Sequence, residues 1–258
     1  MKYLLLTILL LSFWKLNAQY GPGTKAFAYL NNLNNARSAA VGGRLYAIND
    51  NDLCLALDQP ASLKLSNAKQ FYTGFGLLPT GVRYGMCMSA FKTKWGVFAP
   101  HIRYMNYGNF NQTDVNGTST GTFSALDYNI GASYAYTPNP YFRLGGQLNL
   151  LGSQLERYSA FALTFQLSAM LVHPNELFIF SVGLRNGGLV LKDYTPQSAS
   201  TLPLDIHAAL SYKLAHAPFR FSIVGHSLNT PNNIYLDPFA LPTIDPLTGD
   251  TIAVYSPN

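Results

Sequence analysis

Charge is what this chain has least of. Only 11% of its 258 residues are Asp, Glu, Lys or Arg, where an ordinary soluble domain carries about 25%. A soluble surface of this size needs more charge than that. The 17 basic and 12 acidic residues give a formal charge of +5, but no Lys/Arg stripe gathers them, which removes a nucleic-acid reading. Long apolar runs are missing as well. Beyond the N-terminus nothing approaches the ~20 residues of a helical membrane span. Cysteine is limited to Cys54 and Cys87, without a CxxC or a metal-ligand spacing. Export would permit a disulfide between them, but Cys87 sits in the strand-like GVRYGMCMSAF and unpaired thiols are expected. Catalytic signatures are absent too: there is no GxSxG, HExxH or phosphate loop.

What is present is aromatic and periodic. Aromatics make up 14% of the chain, with 17 Tyr and 16 Phe. In SALDYNIGASYAYT, residues 124–137, every second residue from Leu126 to Tyr136 is apolar or aromatic. The interleaved Asp127, Asn129, Gly131 and Ser133 are polar or small. That is a period of two, a strand with unlike faces. The same alternation recurs. Phe142, Leu144, Leu148 and Leu150 oppose Arg143, Gln147 and Asn149. Phe161, Leu163, Phe165, Leu167 and Leu171 oppose Thr164, Gln166 and Ser168. Leu204, Ile206, Leu210 and Tyr212 oppose Asp205, His207 and Ser211. Nine strands are predicted, near 69–78, 82–92, 95–105, 123–137, 141–151, 158–172, 177–185, 204–214 and 219–227. Little charge, many aromatics and short alternating strands together predict an antiparallel transmembrane β-barrel with its apolar face toward lipid. On that reading a charge is tolerated at inward Gln147 and costly at outward Leu148.

Connections support the same fold. Short turns fall at Lys92–Lys94, Thr137–Tyr141, His173–Leu177 and Ala215–Phe219, and longer loops at Asn106–Gly121, Gly152–Arg157 and Asn186–Pro203. Membrane barrels place short turns in the periplasm and long loops outside. Residues 1–18 read as a secretory signal, with basic Lys2, an apolar core and a cut after Ala18; its loss lowers the formal charge to +3, since Lys2 and Lys15 leave with it. Residues 19–66 read as a helical plug within the lumen, with a periplasmic extension as the alternative; the plug reading expects a close-packed turn at Ala39–Gly43 that includes Gly42 and Gly43. Residues 67–228 carry the strands. Nine is odd, whereas single-chain bacterial barrels close with an even number. Residues 229–258, with Pro231, Pro238, Pro242, Pro246 and Pro257, read as an extracellular loop at a truncated end. The barrel is therefore expected to be incomplete at the C-terminus, or closed by another chain.

Candidate chemistry is thin. The histidines, at 101, 173, 207, 216 and 226, are scattered, and nothing in the sequence pairs His207 or His226 with a serine, although a Ser-His-Asn set assembled from separate strands stays open. Asp50-Asn51-Asp52 resembles half a calcium loop but lacks its glycine and closing glutamate, which favours a polar cap. In LAHAPFRFSIVGHSL, His216 and Pro218 suit a tight turn, Phe219 and Phe221 an outward aromatic girdle, and Arg220 the inner face. This block reads as structural.

Several segments, in order, resemble the PorQ family of outer-membrane barrels from the type IX secretion system, within the wider FadL-like group. They are AYLNNLNNARSAAVGG, IRYMNYGNFNQTDVNG with GTFSALDY, LLGSQLERYSAFAL, LRNGGLVLKDYT and LPLDIHAALSYKLAHAPFRFSIVGHSLN. FadL-like barrels carry Asn-Pro-Ala near the plug; here Asp58, Gln59, Pro60 and Ala61 stand in that place, without the asparagine. The resemblance implies a non-enzymatic protein without cofactor, in the outer membrane of a Gram-negative bacterium. Its partners would be outer-membrane lipid and a large surface protein of the PorZ kind, in a complex that attaches cargo to lipopolysaccharide. The loops Asn106–Gly121 and Asn186–Pro203 would make the contacts. The alternative it leaves is a FadL-like channel for hydrophobic small molecules.

Overall fold

A computed structural model describes residues 26–32, 35–78, 81–196 and 200–230, with the short pieces 243–244 and 251–252. The segment 1–18, read above as a signal, and most of the tail at 229–258 lie outside the described residues. Lys25–Asn229 forms one compact unit.

Its wall is built from β1 (Phe71–Leu77), β2 (Arg83–Ser89), the short β3 (Phe91–Lys92), β4 (Gly96–Thr113), β5 (Ser119–Asn139), β6 (Phe142–Leu155), β7 (Tyr158–Val172), β8 (Phe178–Lys192), β9 (Asp205–Lys213) and β10 (Arg220–Gly225). Each pairs antiparallel with the next along the path β1-β2-β4-β5-β6-β7-β8-β9-β10, while β3 pairs only with β4. All nine expected strands are there. The sheet does not close: β10 pairs with β9 and β1 with β2, and neither edge meets the other. The fold is an incomplete antiparallel barrel. In the tail, β11 (Thr243–Ile244) and β12 (Thr251–Ile252) pair as a two-residue ladder, where only an irregular loop was expected; the Thr-Gly pair between them supplies a turn sequence.

The faces are inside out relative to a soluble sheet. Ile130, Leu144, Leu148, Leu150, Leu163, Leu167, Leu210 and Phe221 are exposed on the outer face. Asn129, Gln147, Asn149, Thr164, Gln166 and His207 are buried on the inner one. Glycine on the outer face makes room for tyrosine across the ladder. The Tyr104 ring lies where a Gly85 Cβ would stand, and Tyr128 does the same over Gly152. Apolar packing occurs in the lumen, where Leu53, Ala56, Leu57 and Leu63 meet Met86, Met88, Ala90, Val97 and Ala99 of β2–β4. No helix among the described residues is long and apolar enough to cross a membrane.

The connections correct the sequence reading. The stretch 106–121 is mostly strand, because β4 and β5 run on to a turn at 114–118. Above Asn106 and Ala125 those strands pair only with each other, out to Thr113 opposite Ser119. They form a two-stranded ribbon about 24 Å long at the usual rise per residue. Gly152–Arg157 shrinks to a turn at 156–157, with Glu156 at φ 56. Among the strands of the wall, only β8 and β9 are separated by a long connection, 193–204. The asymmetry between the two ends lies in strand overhang more than in loop length. Asn, Thr, Ser and Gly mimic loop composition there, because both faces of an overhanging ribbon are solvated and need no alternation.

Both cysteines are free, Cys54 buried in the plug and Cys87 half-buried on β2.

Candidate functional site: the seat of the plug

The site begins with local capping. Asn35 starts α1 (Ala36–Ala40) by accepting from the Ser38 N–H at 2.7 Å. Gly42 and Gly43 end it at φ 84 and 100, the left-handed region that glycine enters without strain. The close-packed turn expected at Ala39–Gly43 is absent: Gly42 is exposed, and a Cβ there would meet nothing within 4 Å. Its glycine serves backbone conformation and not packing. The Asp50-Asn51-Asp52 triplet is fully used as cap and clamp. Asp52 accepts from the Cys54 N–H at 3.2 Å and starts the 3-10 turn Leu53–Leu57. Asp50 and Asp52 both pair with Arg37. Asn51 accepts from Ser66 at 2.8 Å and Asn67 at 3.1 Å. Among the described residues no group of three acidic, His or Cys side chains is placed to hold a metal.

From that base the chain delivers Asp58-Gln59-Pro60-Ala61 against the inner wall. All four are buried, and each has a counterpart. Asp58 pairs with Arg185 of β8 at 2.8 Å. Gln59 Oε1 lies 3.0 Å from His207 Nε2 of β9. The Ala61 N–H donates to Ser168 Oγ of β7 at 2.9 Å. Pro60 and Ala61 rest on Gly145 of β6, where any Cβ would overlap Ala61 N and the Pro60 carbonyl carbon. Pro60 opens a 3-10 turn, Pro60–Ser62, at a position where its missing N–H costs nothing.

A second layer locks the first. Tyr46 stacks on His207 with centroids 3.8 Å apart and accepts from Arg185 at 2.7 Å. Arg44 bridges to Asp205 at 3.0 Å. Ser211 donates to the Ala47 carbonyl at 2.5 Å. Arg143 donates to the Ser62 carbonyl at 3.3 Å and also to Asn49. Arg185 falls in the inward set of β8 with Ile179 and Ser181; just beyond it lies a bulge, where Phe165 pairs with Gly187 and Leu167 with Leu184, so that Arg185 and Asn186 together face Gln166. Asn186 adopts φ 55 and donates to the Pro203 carbonyl at 3.1 Å. Bulges commonly re-aim a side chain next to a site.

The plug residues singled out from sequence thus come together with the wall, whereas of the His216–Phe221 block only Arg220 reaches the seat, through Ser211. His216 and Pro218 lie exposed in the β9–β10 turn, and Phe219 and Phe221 are exposed on the outer face. Arg220 points inward and donates to Ser211 at 3.0 Å. Of the two histidines placed toward the lumen, His207 is buried there, and His226 lies beyond β10, exposed beside Ser227. Sequence reasoning missed Arg44, Tyr46, Gly145 and Arg185 as parts of the seat. Arg185 and Asn186 stand at the junction LRNGG, whose Asn-Gly-Gly signals a break and here marks the bulge.

No family model and no curated protein matches the chain.

Proposed function

We propose that this chain is a non-enzymatic outer-membrane barrel protein that anchors a surface partner through its overhanging hairpins. It is read as a PorQ-like member of the type IX attachment complex, with a PorZ-like protein as that partner. The observation that carries the reading is the seated plug. A wall with lipid-compatible residues outside and a lumen occupied by buried ion pairs suits a scaffold better than a conduit. The ribbon of β4–β5 and the loop at 193–204 offer the contact surface, rich in Asn, Thr, Ser and aromatic residues with little charge.

One observation favours the second reading, a FadL-like channel. A cavity of about 310 Å³ is lined by Tyr29, Tyr84, Met86, Tyr104 and Met105, with Arg103 among them. That size and apolar lining suit a small hydrophobic molecule. Deletion of the gene separates the two. Loss of surface-protein attachment with intact uptake supports the anchor; loss of hydrophobic-solute uptake with normal attachment overturns it.

A further inference from the structure

The plug reaches both mouths of the barrel. Tyr29 and Leu30 pack with Met105 of β4, Leu151 of β6, and Ala160 and Ala162 of β7, beside Val190, Tyr194 and Leu202. Those positions flank the overhanging hairpins. The Ala26 N–H donates to the Thr201 carbonyl at 3.0 Å in the 193–204 loop. Tyr29 donates to the Tyr128 carbonyl at 2.9 Å. At the other end Asn49 and Ser62 meet Arg143, next to the turn between β5 and β6. The Lys69 N–H donates to the Ala90 carbonyl at 2.8 Å, beside the β3–β4 turn. Arg143 and Leu151 lie on one strand, about 27 Å apart at the usual rise. The strands themselves start from the end opposite to Ala26.

We infer that Ala26–Lys69 is a transluminal segment, exposed at the cell exterior around Ala28 and at the periplasmic mouth around Leu65 and Ser66. Ala28, Leu65 and Ser66 are all exposed, while Leu53–Leu57 and Gln59–Leu63 between them are buried. An exterior partner resting on the hairpin mouth therefore touches the plug as well as the wall, and a periplasmic protein can touch the same segment from the other side. This rests on the proposed orientation, with short turns in the periplasm.

The test is labelling of whole cells with a polyethylene-glycol maleimide too large for porins. Reporter cysteines are placed by Ala28→Cys, Ser66→Cys and Val115→Cys in a Cys87→Ser background, whose remaining Cys54 is buried and whose unlabelled parent is the control. Val115 is fully exposed at the ribbon tip and reports orientation alone. Labelling of Ala28→Cys and Val115→Cys in intact cells, with Ser66→Cys labelled only after permeabilisation, is the expected pattern. Val115→Cys labelled and Ala28→Cys silent in intact cells overturns the inference while leaving the orientation standing. Ser66→Cys labelled in intact cells alongside the other two also overturns it. Val115→Cys silent until permeabilisation overturns the orientation itself.

Discussion

Placing an arginine at Gln147 and at Leu148 in turn sets the two faces of one strand against each other. Alternation alone suggests a wet lumen, in which the inward change is mild. The seated plug reverses that order. Leu148 is 62% exposed on the outer face, and a cation there near a bilayer midplane costs about 2–4 kcal/mol. Gln147 is 3% exposed. It accepts from Ser133 at 2.9 Å and donates to Asn149 at 2.9 Å. Losing those bonds costs about 1 kcal/mol each. An unpaired guanidinium in a closed interior adds several kcal/mol, and the larger side chain adds about 1–3 kcal/mol of overpacking. Gln147→Arg is therefore expected to lose at least as much stability as Leu148→Arg, about 4 kcal/mol or more. Urea unfolding of the refolded protein in lipid vesicles, read by the gel mobility of unheated samples, measures both. A clearly milder Gln147→Arg would refute the reading that this inner face is closed to water.

Three further changes follow from the same seat. Asp58→Asn strands the Arg185 guanidinium in a buried site and should cost about 3–5 kcal/mol in the same unfolding assay; an effect near zero would mean that solvent reaches the pair. Gly145→Val should unseat Pro60 and Ala61, so that Cys54, buried in the native protein, becomes accessible to an aromatic disulfide reagent at pH 8; unchanged reactivity would show that the plug tolerates the side chain. Gly42→Ala should cost only about 1–2 kcal/mol, the strain of a left-handed backbone, and a bulkier Gly42→Leu little more, because the space around it is open; a steep rise with size in urea unfolding would restore the close-packed turn.

The wall was legible because a period of two survives wherever one face differs from the other. Leu126 through Tyr136 and Leu204 through Tyr212 each announce strand, face and direction at once. Legibility failed where that contrast vanishes. Above Asn106 the ribbon is wet on both sides, so Asn109, Asn111 and Gln112 read as loop although they pair with Ser124, Thr122 and Gly121. At Arg185–Asn186 the bulge shifts the period by one residue, and the alternation is broken there. The seat was half visible. Asp58, Gln59, Pro60 and Ala61 drew attention through a resemblance, but nothing local in Gly145 or Tyr46 says that they will lie beneath or beside that stretch. Those contacts join residues more than a hundred positions apart in Arg185–Asp58 and Gln59–His207, and only the packing of the plug against the curved wall brings them together.

The open edges carry a rule of direction. Nine strands, each reversing the last, leave β1 and β10 running the same way. Alternating polarity around a complete ring is possible only if the gap takes an odd number of additional strands. A second copy inserted through the bilayer with the same orientation would present its β1 parallel to the β10 it meets, and would break the alternation at both seams. To restore it that copy would have to stand upside down, with its ribbons in the periplasm. Whatever strands complete this wall in lipid, where each unpaired backbone group costs several kcal/mol, an identical copy inserted the same way up cannot supply them without parallel seams.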